Sequence, residues 1–431
     1  MRRCLILVAA LALTAACSGG QAATTSVTTS TSSTTTSTTT TSTTTSSTLP
    51  VTTTVAPLPE GTWHRVPDDY EVFGGNGYQV MYSLLDFNGR LVAVGEDDYH
   101  WGSRAAVWFS ADGITWDRVP NDEELFSGYS YQRMYSAAIW DGRLFAVGLD
   151  SSGGDADAAI WTSADGITWE RGPRDPDVFG GEGDQAMWSI TPWDGGLVAA
   201  GYDTSGGDCD AAIWTSADGV IWEWVPHEEN VFGGLLHQRI LSIIAWNNGL
   251  VAVGADQIGG DEDAVVWIST DGITWEWAPH DEEVFGGDED QIMTSVVAWN
   301  GGLVAAGYDT SGGDQDAVIW VSSDGITWER IPHDEAVFGG AGDQAVNTVT
   351  VWDGGLAAGG YASSGEDRDA AVWTSSDAIT WERAPDDEAA FSGDGDQEIN
   401  SVIEWNGSLV AVGRDRIGGQ GSAIVWYWTP D

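Results

Sequence analysis

Four loops of this chain each carry three aspartates around a glycine-containing turn: Asp150/Asp155/Asp157, Asp203/Asp208/Asp210, Asp256/Asp261/Asp263 and Asp309/Asp314/Asp316. Calcium takes six to eight oxygen ligands, often carboxylates on a sharp turn, so these residue types suit Ca2+. Their spacing is not that of an EF-hand loop. The competing reading is that the Asp side chains cap turns by accepting local amides and stay solvated. A second constellation is aromatic and basic. Tyr99, His100, Trp101 and Arg104 share one loop, Tyr78 precedes it, Tyr129, Tyr131 and Arg133 follow it, and Arg414 and Arg416 stand near the far end of the chain. Exposed aromatics beside arginine suit stacking on sugar rings and pairing with an anion. No P-loop, Cys–His pair, serine-nucleophile motif or zinc-ligand spacing is present.

The elements that must position these residues follow from self-similarity. Trp63, Trp116, Trp169, Trp222, Trp275, Trp328 and Trp381 stand 53 residues apart, and so do Trp108, Trp161, Trp214, Trp267, Trp320, Trp373 and Trp426. A third column holds Phe87, then Trp140, Trp193, Trp246, Trp299, Trp352 and Trp405. A period near 50 with four short apolar segments per repeat predicts a β-propeller. In one copy the strands are expected at Gln185–Trp193, Leu197–Tyr202, Asp210–Ser216 and Ile221–Pro226, with tight Asp-Gly turns between the first and second and between the third and fourth. The fold class is therefore all-β: a seven-bladed propeller with four antiparallel strands per blade. The segment around Trp63 has no triplet before it, and the triplet ending at Trp426 has no outer strand after it. Their pairing is expected to close the ring and remove the sheet edges.

The strand order puts the short turns on one face and the two longer loops of each blade on the other, where the Asp trios and the Tyr/Arg cluster collect. Two further columns open every blade: glutamines from Gln79 to Gln397 and phenylalanines from Phe73 to Phe391. Identity in every blade points to a shared structural job, expected to be blade-to-blade hydrogen bonding and wedge packing. His227, His280 and His333 are also 53 apart. They lie on separate blades, cannot converge on one metal, and read as surface residues.

The segment Trp161-Thr162-Ser163-Ala164-Asp165-Gly166-Ile167-Thr168-Trp169 resembles the Asp-box (BNR) repeat of sialidase-like propellers, a hairpin between third and fourth strands. It recurs six times, one residue shorter than the family pattern between Asp and Gly, and with Ala378 for Gly in the sixth copy. The resemblance implies a propeller over residues 58–431 and a structural role for the Asp, which ties down backbone amides. It also implies glycosidases as one functional class, with binding proteins as another. In sialidases three Arg, a Tyr–Glu pair and an Asp act near an Arg-Ile-Pro motif. Arg330-Ile331-Pro332 matches those letters but is one copy of a repeated rim segment (compare Arg118-Val119-Pro120), and most sialidase propellers have six blades. No catalytic residue is carried over.

Charge and the N-terminus supply an address. The chain has 431 residues with 66 Asp+Glu against 16 Lys+Arg, a formal net charge of −50. That excludes nucleic acid or an anionic bilayer as a general partner. Residues 1–17 read as a lipoprotein-type signal peptide: Arg2-Arg3, an apolar run, then Leu13-Thr14-Ala15-Ala16-Cys17 resembling a lipobox, with Cys17 the lipidation site. Residues 18–57, dominated by Ser and Thr, form a linker with nothing to bury. The expected protein is a monomer anchored outside a bacterial cell and touching the membrane only through its lipid. Binding of carbohydrate or a protein partner at the acidic loop face is favoured over catalysis, with Ca2+ as a candidate cofactor. The alternative is a glycoside hydrolase, for which two carboxylates at about 5–10 Å are needed; an acidic face offers too many such pairs to choose between.

Overall fold

The computed structural model describes residues 60–430 apart from 76, 99–101, 127–130, 235, 259, 364–366, 386–388, 394 and 418–419. Cys17, the leader and the Ser/Thr-rich segment therefore lie outside the described residues, as do Tyr99, His100, Trp101 and Tyr129. Among the described residues 28 strands form seven four-stranded antiparallel sheets, and the only helices are three single turns. Blade one comprises Gln79–Phe87, Arg90–Asp98, Ser103–Ser110 and Trp116–Arg118, running from the inner strand to the outer. Blade seven comprises Asp396–Trp405, Ser408–Ile417 and Gln420–Pro430, completed by Gly61–Arg65. That closing strand pairs residue for residue from Gly61↔Pro430 to Arg65↔Trp426, as the unmatched ends of the repeat predicted. In blade three the outer strand shrinks to Glu223–Trp224.

Each column of the repeat has a physical task. The third-strand tryptophans, Trp108 to Trp426, are fully buried. Each donates its indole N–H to a carbonyl of the loop that precedes its blade, for example Trp108 to Val72 O at 2.7 Å and Trp426 to Ala390 O at 2.7 Å. The phenylalanine next to that carbonyl (Phe73, Phe391) packs under the same blade, so the Val-Phe loop is pinned both by burial and by a hydrogen bond. The first-to-second turn places two residues at positive φ, such as Asp194 at 45° and Gly195 at 79°, which matches the right-handed twist of the strands it joins.

The Asp-box hairpin behaves as its resemblance implied. Asp165 Oδ1 accepts from Ile167 N (2.8 Å) and Thr168 N (2.6 Å), while Ser163 Oγ accepts from Gly166 N (2.9 Å) and donates to Thr168 O (2.6 Å). Those amides stabilise the carboxylate, so Asp112, Asp165, Asp218 and Asp271 are held below the ordinary Asp range. The glutamine column bonds in two directions. In five blades its side-chain amide donates within the blade to the second-strand Asp 18 residues on, as in Gln185 Nε2 to Asp203 Oδ1 at 2.7 Å. Its backbone reaches the preceding blade, as expected: Gln185 N donates to Ala156 O, Gln238 N to Cys209 O and Gln344 N to Gln315 O, each at 2.6 Å. A serine column adds further blade-to-blade bonds. Ser189 Oγ accepts from Ile243 N (3.1 Å), Ser242 Oγ from Val296 N (3.3 Å), Ser295 Oγ from Val349 N (3.2 Å), and Ser401 Oγ from Leu84 N (3.2 Å) across the ring closure.

Candidate functional site

The inner strand of every blade carries a β-bulge, because the residue after the third position has no ladder partner. A bulge re-aims its extra side chain, and here it turns seven of them towards the central channel. The bulge residues are Tyr82, Tyr135, Trp188, Leu241, Thr294, Asn347 and Asn400, all lining one cavity of about 210 Å³ together with the serine column and Tyr308. The backbone is seven-fold, yet its lining is not. Among the bulge residues, blades one to four offer an aromatic and apolar arc and blades five to seven a polar one, to which Ile292 and Tyr308 of blade five add apolar surface.

In the aromatic arc Tyr82 and Tyr135 have ring centroids 5.2 Å apart, Tyr135 meets Trp188 edge-on at 6.5 Å, and Trp188 lies 4.9 Å from Tyr202. In the polar arc each side chain bonds the next blade's inner strand: Thr294 Oγ1 to Val346 O (2.6 Å), Asn347 Nδ2 to Ile399 O (2.9 Å) and Asn400 Nδ2 to Met81 O (3.0 Å). Among the buried polar atoms of this lining, Trp188 Nε1 and Asn400 Oδ1 have no hydrogen-bond partner in the protein. A bound polar molecule or water is what such atoms call for.

Above the aromatic arc the structure brings together the Tyr/Arg residues of blades seven, one and two. Tyr78 forms a bridge with Gly421, where any Cβ would collide with the phenol ring. The Tyr78 hydroxyl accepts from Arg414, whose guanidinium also pairs with Glu398. Arg133 donates from Nε to Glu96 Oε2 at 2.5 Å and lies over the Tyr131 ring at 5.7 Å. Tyr82 donates to the other oxygen of Glu96 at 2.6 Å. Arg104 pairs with Asp97 at 3.1 Å, and Arg416 is half-buried on the second strand of blade seven opposite Asp396. Burial, reinforced by Glu96, pushes the Tyr82 phenol well above its ordinary pKa, and burial also raises Tyr78.

The acid partners were not anticipated, and they change the electrostatics of the cluster. Arg133 and Arg414 are paired with Glu96 and Glu398, and Arg104 shares Asp97 with Arg118; all three carboxylates are buried. The cluster is not a bare basic patch for an anion, but a set of desolvated ion pairs under aromatic rings. The signal was there in the 53-residue register. Glu96 stands where the other blades have Leu149, Tyr202, Ala255, Tyr308, Tyr361 and Arg414.

The Asp trios divide by position. The first member is buried and committed to protein donors: Asp203 accepts from Gln185 and from the Ser205 amide and hydroxyl, Asp309 from Gln291, Ser311 and Arg330, Asp150 from Arg171, Arg174 and Ser152 N, and Asp256 from Gln238. The middle members Asp155, Asp208, Asp261 and Asp314 are half-buried; Asp155 and Asp314 each accept an amide of a neighbouring loop, from Gly183 and Gly342. The last members face cations. Asp210, Asp263 and Asp316 lie beside His227, His280 and His333 of their own blades. Asp157 lies near Arg171 and Arg174. Burial raises the pKa of Asp157 and Asp316, and lifts Asp210 and Asp263 to about 6, against the pull of the histidine.

No family model matches the chain, and no curated protein does. Solved structures do. A mutant of Trypanosoma rangeli sialidase displaying trans-sialidase activity aligns over 87% of this chain and 60% of its own, at 15% identity and a TM-score of 0.46. This chain therefore spans well under two thirds of that sialidase. A putative glycosidase from Bacteroides thetaiotaomicron covers 57% of this chain and 87% of its own (16% identity, TM-score 0.35). A family 117 glycoside hydrolase from the marine bacterium Zobellia galactanivorans covers 51% and 75% (13% identity, TM-score 0.35). Likeness of this order transfers no activity.

Proposed function

We propose that this propeller recognises the end of a saccharide at the loop-face mouth of its channel. The observation that carries the reading is the split among the bulge residues: clustered aromatics on one arc and amide and hydroxyl groups on the other, with Trp188 Nε1 and Asn400 Oδ1 left unpaired. A sugar ring has apolar faces that stack on aromatic rings and a polar edge that satisfies donors and acceptors, so a divided ring suits it better than a uniformly apolar or uniformly charged one. The cavity is smaller than the roughly 300–1,000 Å³ that enclose drug-sized ligands, which fits one terminal ring rather than a long segment. Paired arginines argue for a neutral sugar over an acidic one. The reading includes anchorage at the cell envelope through Cys17, supported by the leader-like and Ser/Thr-rich composition of residues 1–57.

A second reading, hydrolysis of the same saccharide, is favoured by Glu96 and Glu398. Both are buried, Glu96 beside Arg133 and Glu398 beside Arg414, and Glu398 Oε2 has no hydrogen-bond partner in the protein. A pair of carboxyl groups is what glycoside cleavage requires. Full-length protein on a glycan array, followed by incubation of any ligand found, tests both. Binding that Trp188→Phe weakens while circular dichroism shows the fold kept supports recognition, and release of a reducing sugar that Glu398→Gln abolishes supports cleavage. An array on which the parent protein binds nothing would overturn both readings.

A further inference from the structure

We propose that blades three, four and five each carry a zinc-class divalent cation site, built from the histidine three residues past the outer strand, the glutamate two residues on, and the last Asp of the trio. In blade four His280 Nε2 lies 3.3 Å from Glu282 Oε2 and 3.6 Å from Asp263 Oδ2, and the three ligand atoms lie within 4.8 Å of one another. Ligands held at about 2.0–2.2 Å in a tetrahedron stand roughly 3.4 Å apart, so a zinc ion fits with small side-chain rotations and a water in the fourth position. Blades three and five carry the same residue types, with His227 Nε2 3.4 Å from Glu229 and 3.8 Å from Asp210, and His333 Nε2 3.2 Å from Glu335 and 3.9 Å from Asp316; among the described residues it is in blade four that all three ligand atoms come within 4.8 Å of one another, so the two carboxylates of the other blades must close in on the ion.

Two further observations point to a ligand rather than to mutual pairing. Asp210 is 7% exposed, yet its Oδ1 has no hydrogen-bond partner, and it converges with His227 Nε2 on the space beside Gly233. In blade five the point where a Cβ of Gly339 would stand is 2.9 Å from Glu335 Oε2, 3.0 Å from His333 Nε2 and 3.1 Å from Asp316 Oδ1. Any side chain at 339 would collide with all three donor atoms, so a glycine there leaves them uncovered. Blade two has Arg174 and Pro176 at the His and Glu positions and keeps only Asp157 of the set. One imidazole with two carboxylates suits zinc over calcium, which wants six to eight oxygens.

The experiment is equilibrium dialysis of chelator-stripped full-length protein against Zn2+ and, separately, Ca2+, with elemental analysis. The parent should hold about three zinc ions per chain, His280→Ala about two, and His227→Ala/His280→Ala/His333→Ala none above background, with calcium uptake the same in all. Far-UV circular dichroism checks that the triple variant is folded; if it is not, the loss of one zinc in His280→Ala and in Glu282→Gln carries the test. Equal zinc uptake by parent and variants means adventitious binding to a strongly acidic surface and overturns the proposal, as does no uptake by the parent.

Discussion

Replacing Glu96 by Gln changes no volume but removes the charge that two buried donors share. Oε2 accepts the Arg133 guanidinium and Oε1 the Tyr82 hydroxyl, and the Glu96 side chain is 3% exposed. An amide can accept from one of them but must point its NH2 at the other. Breaking one partner of a buried ion pair costs about 3–5 kcal/mol. Arg133 is one-fifth exposed and keeps Ser103 Oγ at 3.3 Å and the Tyr131 ring, so the expected loss is about 2–4 kcal/mol. Arg133→Met strands the carboxylate instead and should cost a similar amount. The double variant strands neither charge and should recover most of it, leaving a coupling of about 2 kcal/mol or more. Urea unfolding of the four proteins at constant m-value measures the cycle. A cost below about 1 kcal/mol for Glu96→Gln, or singles that simply add, would show that the pair is solvated and that the mouth is not a desolvated site.

Three other outcomes are expected. Gly219→Ala should cost about 2–4 kcal/mol, since φ is +70° and the new methyl would sit 2.5 Å from the Phe145 ring, whereas Ala378→Gly should be within about 1 kcal/mol of neutral because relief of its left-handed φ of 63° offsets a lost buried methyl; thermal melts compare the two. With chelator present, the melting temperature should rise as pH falls from 7 to about 5, because Asp210 and Asp263 bind protons more tightly folded than unfolded, and should collapse below about 3 as the Asp-box carboxylates, depressed in the fold, are protonated; a steady decline from pH 7 would contradict this. Ser242→Ala should cost about 1–2 kcal/mol by stranding the Val296 amide at the blade joint, read by chemical denaturation.

The blades and their closure were legible because a strictly spaced repeat turns every column into a repeated observation: Trp, Gly and Asp-Gly recur at fixed offsets, and the two unmatched ends can only pair. The channel lining was not, because a bulge leaves no local mark. Tyr82 to Asn400 read as ordinary strand residues until one ladder rung is seen to be missing. The Arg–acid pairs across blades one and two join side chains whose separation in sequence says nothing about their distance, although the departure of Glu96 from its column was visible. The histidines lie exposed on separate blades, as a spacing of 53 implied, and each also meets an Asp 17 residues earlier, a pairing the spacing does not reveal. The hairpin joining third and outer strands brings the start of one strand to the end of the other, as the Trp214↔Trp224 pairing in blade three shows.

The closing strand also sets which way the molecule faces. Gly61 and Pro430 sit side by side at the perimeter, at the end of blade seven where other blades make their Asp-box turns. Both ends of the ring therefore leave from the short-turn side, away from the channel mouth and the acidic loops. A surface or neighbouring domain joined through either end would lie behind the disc, and the mouth would be presented outward like a dish on a stand. Attachment then leaves the mouth unobstructed without any hinge to reorient it.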